Sequence, residues 1–293
     1  MNKTIFKGTC TAAVTPFTND GVDYDAFSKQ LEYQINNGIE AICVLGTTGE
    51  APTISDDEYD YIAKFAYDKI AGRVKFILGS GSNCTKKAIE KSQLAQNIGA
   101  DGLLVVTPYY NKCTQKGLVK YYNDIGDNVD IPILCYNVPA RTGVNILPQT
   151  MLEIAEHKNI GGIKEACGNM EQICETARLI RGKTALYSGD DNLNLAMLSI
   201  GSAGLISVAS NVAPKQVGDV AKLFFKGHNE EAAILQEKLL PLIDMLFVEV
   251  NPIPVKKAME IIGLGSSIVR APLTELDEKY HAKLNACIKE LGL

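Results

Sequence analysis

The feature that most constrains this chain is a recurrence. Eight short apolar runs, at residues 9–14, 41–45, 74–78, 103–106, 133–136, 162–164, 185–187 and 205–208, are each followed by a polar turn and a stretch with helical spacing. Runs this short and this continuously apolar read as strands buried on both faces. Parallel strands alternating with helices predict an α/β fold, and eight of them predict a closed (β/α)8 TIM barrel. A doubly wound open sheet is the competing architecture. It usually carries a Gly-x-Gly-x-x-Gly turn after its first strand, and none is present here.

The junctions support the alternation. Asp23 is placed to cap a helix carrying Phe27, Leu31 and Ile35 at helical spacing, with Gly38 as its stop. Ser55-Asp56-Asp57-Glu58 reads as a capping box, and Thr85 as the cap of a helix running to Gly99. From about Pro214 the strand signal ends. Residues 1–225 are therefore expected to form the catalytic barrel, and 226–293 a helical region. In the latter, Ile234, Leu235, Leu239, Leu242 and Leu246 are expected to line one helical face, and Leu276, Tyr280, Leu284 and Cys287 another. Asn251-Pro252-Ile253-Pro254 is the break between them, and the region reads as a cap or an oligomer contact without chemistry of its own.

Composition excludes several classes. Net charge is −5, which gives no electrostatic case for nucleic acid or an anionic membrane surface. No stretch approaches the roughly 18 apolar residues of a membrane span, and the N-terminal residues lack an apolar signal core. A cytoplasmic location is expected. The eight cysteines form no C-x-x-C pair and are expected to be reduced and mostly buried. His157, His228 and His281 sit among polar helical residues, which argues against a histidine triad or a zinc site.

In such a barrel the C-terminal strand ends form the active-site face. Those ends collect Thr47, Thr48, Glu50, Tyr109, Tyr110, Tyr136, Arg141, Lys164, Ser188, Asp190 and Ser207. Lys164 stands out, because buried apolar strands seldom carry a charge. It reads either as a strand-end lysine snorkelling to water or as a desolvated amine that forms a Schiff base with a carbonyl carbon. Each companion has a structural reading too: Thr47-Thr48 as a turn, Tyr109-Tyr110 as edge packing, Tyr136 as core, Arg141 as a solvated charge, and residues 188–191 as a turn opening a helix. Gly79-Ser80-Gly81-Ser82 lacks the Lys-Ser/Thr sequel of a phosphate loop. Spacing alone leaves a Schiff-base or general acid–base barrel enzyme. A cofactor-free isomerase and a non-catalytic binding barrel are the rivals.

Taken as a set, Gly46-Thr47-Thr48-Gly49-Glu50, Thr107-Pro108-Tyr109-Tyr110-Asn111, Tyr136-Asn137-Val138-Pro139-Ala140-Arg141-Thr142-Gly143 and Gly162-Ile163-Lys164-Glu165-Ala166 resemble the pyruvate-dependent class I aldolase family, to which the N-acetylneuraminate lyases belong. The resemblance runs end to end. Arg141-Thr142-Gly143 places the chain nearer the members that condense pyruvate with L-aspartate 4-semialdehyde, the first committed step toward diaminopimelate and lysine, than those that cleave sialic or sugar acids. It implies an imine between Lys164 and pyruvate, with Tyr136 moving protons and Thr47 and Tyr110 completing a hydroxyl relay. It also implies pyruvate held by Thr48 with the backbone at Gly189 and Ile206, and the second carboxylate held by Arg141. No metal or cofactor is implied. Tyr110 would reach into a neighbouring subunit of a homotetramer built as a dimer of dimers. Feedback-inhibited members bind L-lysine at a pocket matching Asn83, Lys87, Tyr109, Asp56 and Tyr59. Lys87 stands where those members carry an acid, and Asp56 and Tyr59 replace histidines, so weak or absent inhibition is expected.

Overall fold

The structure, a computed structural model, describes residues 4–293. Met1, Asn2 and Lys3, part of the N-terminal segment read above for a signal core, lie outside the described residues. Eight parallel strands close into a barrel in which each pairs with its neighbours in chain order. They are β1 (Gly8–Ala12), β2 (Ala41–Val44), β3 (Lys75–Gly79), β4 (Gly102–Val106), β5 (Ile133–Asn137), β6 (Ile160–Glu165), β7 (Ala185–Ser188) and β8 (Gly204–Ser207). The expected (β/α)8 barrel with C-terminal helices is thus the fold observed. Among the described residues no helix is long and apolar enough to cross a membrane. The described residues group into two compact units, one of residues 4–7 with Lys75–Ile206, the other of Gly8–Val74 with Ser207–Leu293.

In the first unit, β5 and β6 set the geometry of the chemistry. Ile133 pairs with Ile160 but Leu134 with Gly162, so Gly161 is an unopposed bulge residue. Beyond it the register is regular: Cys135 opposite Ile163, Tyr136 opposite Lys164, Asn137 opposite Glu165. Gly162 is small for a reason, since a Cβ there would lie 2.7 Å from the Ala185 carbonyl oxygen. Ile77, Leu103, Leu134 and Ile163 are fully buried, each worth about 1.5–3 kcal/mol over leaving it in water. Thr85 is not the cap of its helix: Cys84 holds that position without a side-chain bond and Thr85 is the first residue of Thr85–Ile98. His157 lies in the turn before β6 rather than on a helix, within 3.2 Å of Asp127 and accepting from the Asn159 amide.

In the second unit, Asp23 caps helix Tyr24–Asn36 through the Ala26 amide, and Ser55 with Glu58 forms the complete capping box of helix Asp56–Ile70. The C-terminal helices are Asn229–Met245, Ile253–Ile261 and His281–Glu290. Leu239, Leu242 and Leu246 are buried as expected, whereas Ile234 is 48% exposed. At 100° per residue Ile234 falls off the stripe that Ala232, Gln236, Leu239 and Ile243 define. Leu276 and Tyr280 precede the last helix, which buries Leu284, Cys287 and Ile288. The cysteines are free, but only Cys10, Cys43, Cys135 and Cys287 are buried, fewer than expected; Cys84 and Cys174 are exposed.

Candidate active site

Lys164 lies one residue from the end of β6, opposite Tyr136 of the adjoining strand. Strand alternation aims both side chains the same way because they are register partners. Lys164 is 5% exposed and Tyr136 7%, and the lysine Nζ stands 4.3 Å from the centre of the tyrosine ring. The snorkelling alternative is therefore not what the structure holds. Gly189, just past β7, packs against the same lysine: a Cβ there would come 2.9 Å from Lys164 Cε and equally close to Ala166 Cβ. Its amide donates to the Glu165 carbonyl at 2.7 Å, tying the turn after β7 to the end of β6. Ile206 is fully buried in β8. Cys167 does not compete as a nucleophile, because burial and then the Glu165 charge push its thiol up to about 12.

Arg141 is exposed on the one-turn helix Pro139–Thr142, which Gly143 closes in the left-handed region at φ 69°. The segment folds back onto the strand ends. Thr142 Oγ1 donates to the Val138 and Val144 carbonyls, and Asn137 Oδ1 accepts from the Ile146 amide at 2.9 Å. Beneath it lies a buried polar cluster that sequence reasoning missed. Asn137 Nδ2 donates to both Glu165 carboxylate oxygens, at 2.9 and 3.1 Å, and to Asn145 Oδ1 at 2.8 Å. Asn145 in turn exchanges amide bonds with Gln172. Glu165 is fully buried, and desolvation raises its pKa against the Asn137 donor. The signal available in the sequence was Asn137 and Glu165 each directly following a reactive residue.

Tyr110 is 90% exposed and left-handed at φ 68°, an arrangement that costs a non-glycine residue about 1–3 kcal/mol. Its turn is fastened to the loop after β3, where the Asn83 carbonyl accepts from Asn111 Nδ2 at 2.9 Å. Tyr109 is half-buried and Lys87 exposed. The Gly79-Ser80-Gly81-Ser82 loop is no phosphate cradle. Ser80 is buried on Ser92, Ser82 is bound to the Tyr121 hydroxyl, and Gly81 packs on Val106.

In the second unit, Thr47 is half-buried and Thr48 buried in the turn after β2. Thr48 Oγ1 accepts from Asn251 Nδ2 at 3.0 Å. The turn ends at Glu50, left-handed at φ 55°, whose carboxylate meets Lys256 Nζ at 2.7 Å and accepts from the Arg270 amide at 2.9 Å. Glu50 and Lys256 side chains are each 1% exposed. The C-terminal region thus holds the turn carrying Thr47 and Thr48, a role the reading of Asn251-Pro252 as a mere break had missed. The run Ile253-Pro254-Val255-Lys256-Lys257-Ala258 carries two lysines, and only the fold shows that Lys256 is the buried one. Asp56 is exposed, while Tyr59 is 2% exposed and presents almost nothing to a ligand within this chain. Among the described residues no cluster of three or more His, Cys, Asp or Glu side chains is placed to hold a metal.

Comparison with known proteins covers nearly the whole chain. The profile of the dihydrodipicolinate synthetase family matches residues 5–291. A 4-hydroxy-tetrahydrodipicolinate synthase of Clostridium tetani is 47% identical over 289 residues, which cover 98% of this chain and 97% of the relative. Among solved structures, a monomeric dihydrodipicolinate synthase variant superposes with a TM-score of 0.97 at 43% identity, covering 99% of this chain and 98% of that one. The chloride-inhibited dihydrodipicolinate synthase of Acinetobacter baumannii, complexed with pyruvate, superposes with a TM-score of 0.96 at 40% identity over 98% of this chain and 99% of that one.

Proposed function

The chain belongs to the dihydrodipicolinate synthetase family and its activity is that of a lyase, 4-hydroxy-tetrahydrodipicolinate synthesis, and from that premise we propose how its residues carry the reaction. The observation that carries the reading is a nearly buried Lys164 amine 4.3 Å from the ring of Tyr136 at the end of a barrel strand. The unprotonated amine attacks the keto carbon of pyruvate, the carbinolamine loses water, and an imine forms. Loss of a methyl proton turns the imine into an enamine, whose carbon attacks the aldehyde of L-aspartate 4-semialdehyde. The amino group of that substrate then attacks the imine carbon, closes the ring and releases Lys164. One water leaves overall and no redox step occurs, so the reaction as proposed calls on no cofactor or metal.

Tyr136 is the proton carrier, which its place beside Lys164 supports. Gly189 and Ile206 offer backbone to the pyruvate carboxylate. Arg141, with its planar fork, takes the carboxylate of the second substrate, a task for which lysine is a poorer match. The roles of Thr47 and Thr48 rest on the motif resemblance. Tyr110, exposed and held in a costly conformation, meets a second copy of the chain in this reading, within a homotetramer assembled as a dimer of dimers. A cytoplasmic site of action completes the proposal. The sugar-acid aldolase reading is not favoured by the relatives.

The test is consumption of pyruvate with L-aspartate 4-semialdehyde, coupled to NADPH oxidation by a dihydrodipicolinate reductase, for wild type and Lys164→Ala. Turnover that the substitution abolishes, together with borohydride-trapped pyruvate on Lys164, is the expected result. Turnover with no trapped adduct would remove the imine mechanism.

A further inference from the structure

The cluster under the Arg141 segment has a direction. A carboxylate only accepts hydrogen bonds, whereas a carboxamide presents one accepting and one donating end and can be turned over. Glu165 accepts from Asn137 Nδ2 and, at 2.9 Å, from the Cys167 amide. With its NH2 aimed at Glu165, Asn137 has its oxygen free for the Ile146 amide. The same NH2 meets Asn145 Oδ1, which leaves the Asn145 NH2 for Gln172 Oε1 at 2.7 Å. Gln172 Nε2 then donates back to Asn145 Oδ1 at 3.0 Å and to the Ile146 carbonyl at 3.3 Å. One acceptor-only group thereby fixes the sense of three amides in series. Those amides fasten the return leg of the segment that carries Arg141, at Asn145 and Ile146.

We propose that Glu165 is the positioning residue that fixes the 138–147 segment in one arrangement, and through it the place of Arg141, so that it governs use of the second substrate rather than imine formation. The part concerning the second substrate rests on the reading of Arg141 given above. The part concerning the segment does not. In Glu165→Gln the new amide sets an NH2 against one of two donors, Asn137 or Cys167, and the series loses its enforced sense. Exchanging the two groups, as Glu165→Gln/Asn137→Asp, restores an acceptor-only group one position along. The introduced glutamine then donates to the introduced aspartate while still accepting from the Cys167 amide, that aspartate still accepts from the Ile146 amide, and Asn145, whose Oδ1 loses its Asn137 donor, turns over to donate to the aspartate.

The experiment compares wild type, both variants and Arg141→Ala by hydrogen exchange of segment 138–147 and by steady-state kinetics on both substrates. For Glu165→Gln, faster exchange confined to that segment is expected, with the KM for the semialdehyde rising on the order of tenfold, the equivalent of one buried charge-assisted hydrogen bond. The KM for pyruvate and borohydride trapping on Lys164 are expected to stay within twofold. The exchange variant is expected to bring the segment back toward wild-type protection. Unchanged exchange in Glu165→Gln, or a KM that rises equally for both substrates, overturns the proposal. Should Glu165→Gln fail to fold, the exchange variant decides: a segment that remains unprotected there overturns it. If Arg141→Ala leaves the semialdehyde KM unchanged, the assignment of Arg141 fails, while the exchange data still decide what Glu165 does to the segment.

Discussion

Replacing Lys256 by methionine isolates the most deeply buried ion pair described here. Lys256 Nζ and Glu50 Oε1 are 2.7 Å apart, with each side chain 1% exposed. At an effective dielectric of about 20, two unit charges at that distance attract by about 6 kcal/mol. Little of that is net gain, because both ions leave water. Burial draws the Lys256 ammonium down to about 8 even with Glu50 beside it, which shows desolvation outweighing the attraction. The asymmetry gives the prediction. Lys256→Met keeps an apolar stem on the Phe17 ring, which now has the ammonium at 4.0 Å, but strands a buried carboxylate with the Arg270 amide as its remaining donor shown here. The expected loss is about 3–5 kcal/mol, or roughly 5–8 °C in Tm for a chain of 293 residues. Glu50→Gln/Lys256→Met, which removes both charges, is expected to recover about half of that or more. Urea unfolding followed by circular dichroism measures both. A single variant within about 1 kcal/mol of wild type would refute the reasoning, as would a double variant no better than the single.

Gly189→Ala drives a methyl to 2.9 Å from Lys164 Cε, and trapping of the pyruvate imine is expected to slow on the order of tenfold or more while Tm moves little; wild-type trapping rates would show that the lysine yields without cost. Arg270 holds the Glu58 carboxyl at about 2, below its ordinary 4.5. A depressed acid contributes stability that is present above about pH 4.5 and lost as pH falls through 2. Because Glu58 is partly solvated, the contribution is about 1 kcal/mol, and Glu58→Gln should flatten the dependence of the urea midpoint between pH 5 and pH 2.5. L-Lysine is expected to inhibit weakly or not at all; half-inhibition at submillimolar concentration in the coupled assay would overturn that.

Much of the barrel was legible because its signals are local. A capping box, a strand run and a lysine where an apolar run stops can each be read within a few residues. The errors were also local, as with Ile234, where helical spacing was counted too loosely, and Thr85, one position past the true cap. What stayed hidden depends on partners remote in the chain. Glu165 needs Asn137, 28 residues away, and Lys256 needs Glu50, 206 residues away. A charged residue within an apolar run announces that some partner exists; only the folded chain says which.

The unopposed Gly161 has a consequence for transplanting this chemistry. Side chains alternate faces along a strand, so the number of residues between any reference point and Lys164 decides whether it meets Tyr136 or turns its back. The bulge shifts that count by one between Ile160 and Gly162. An engineer who grafts the lysine and tyrosine onto a regular barrel by matching residue offsets from the strand's start would place isoleucine where the amine belongs. The graft must carry the extra glycine with it, as a frame-setting insertion, or the reactive pair is never assembled.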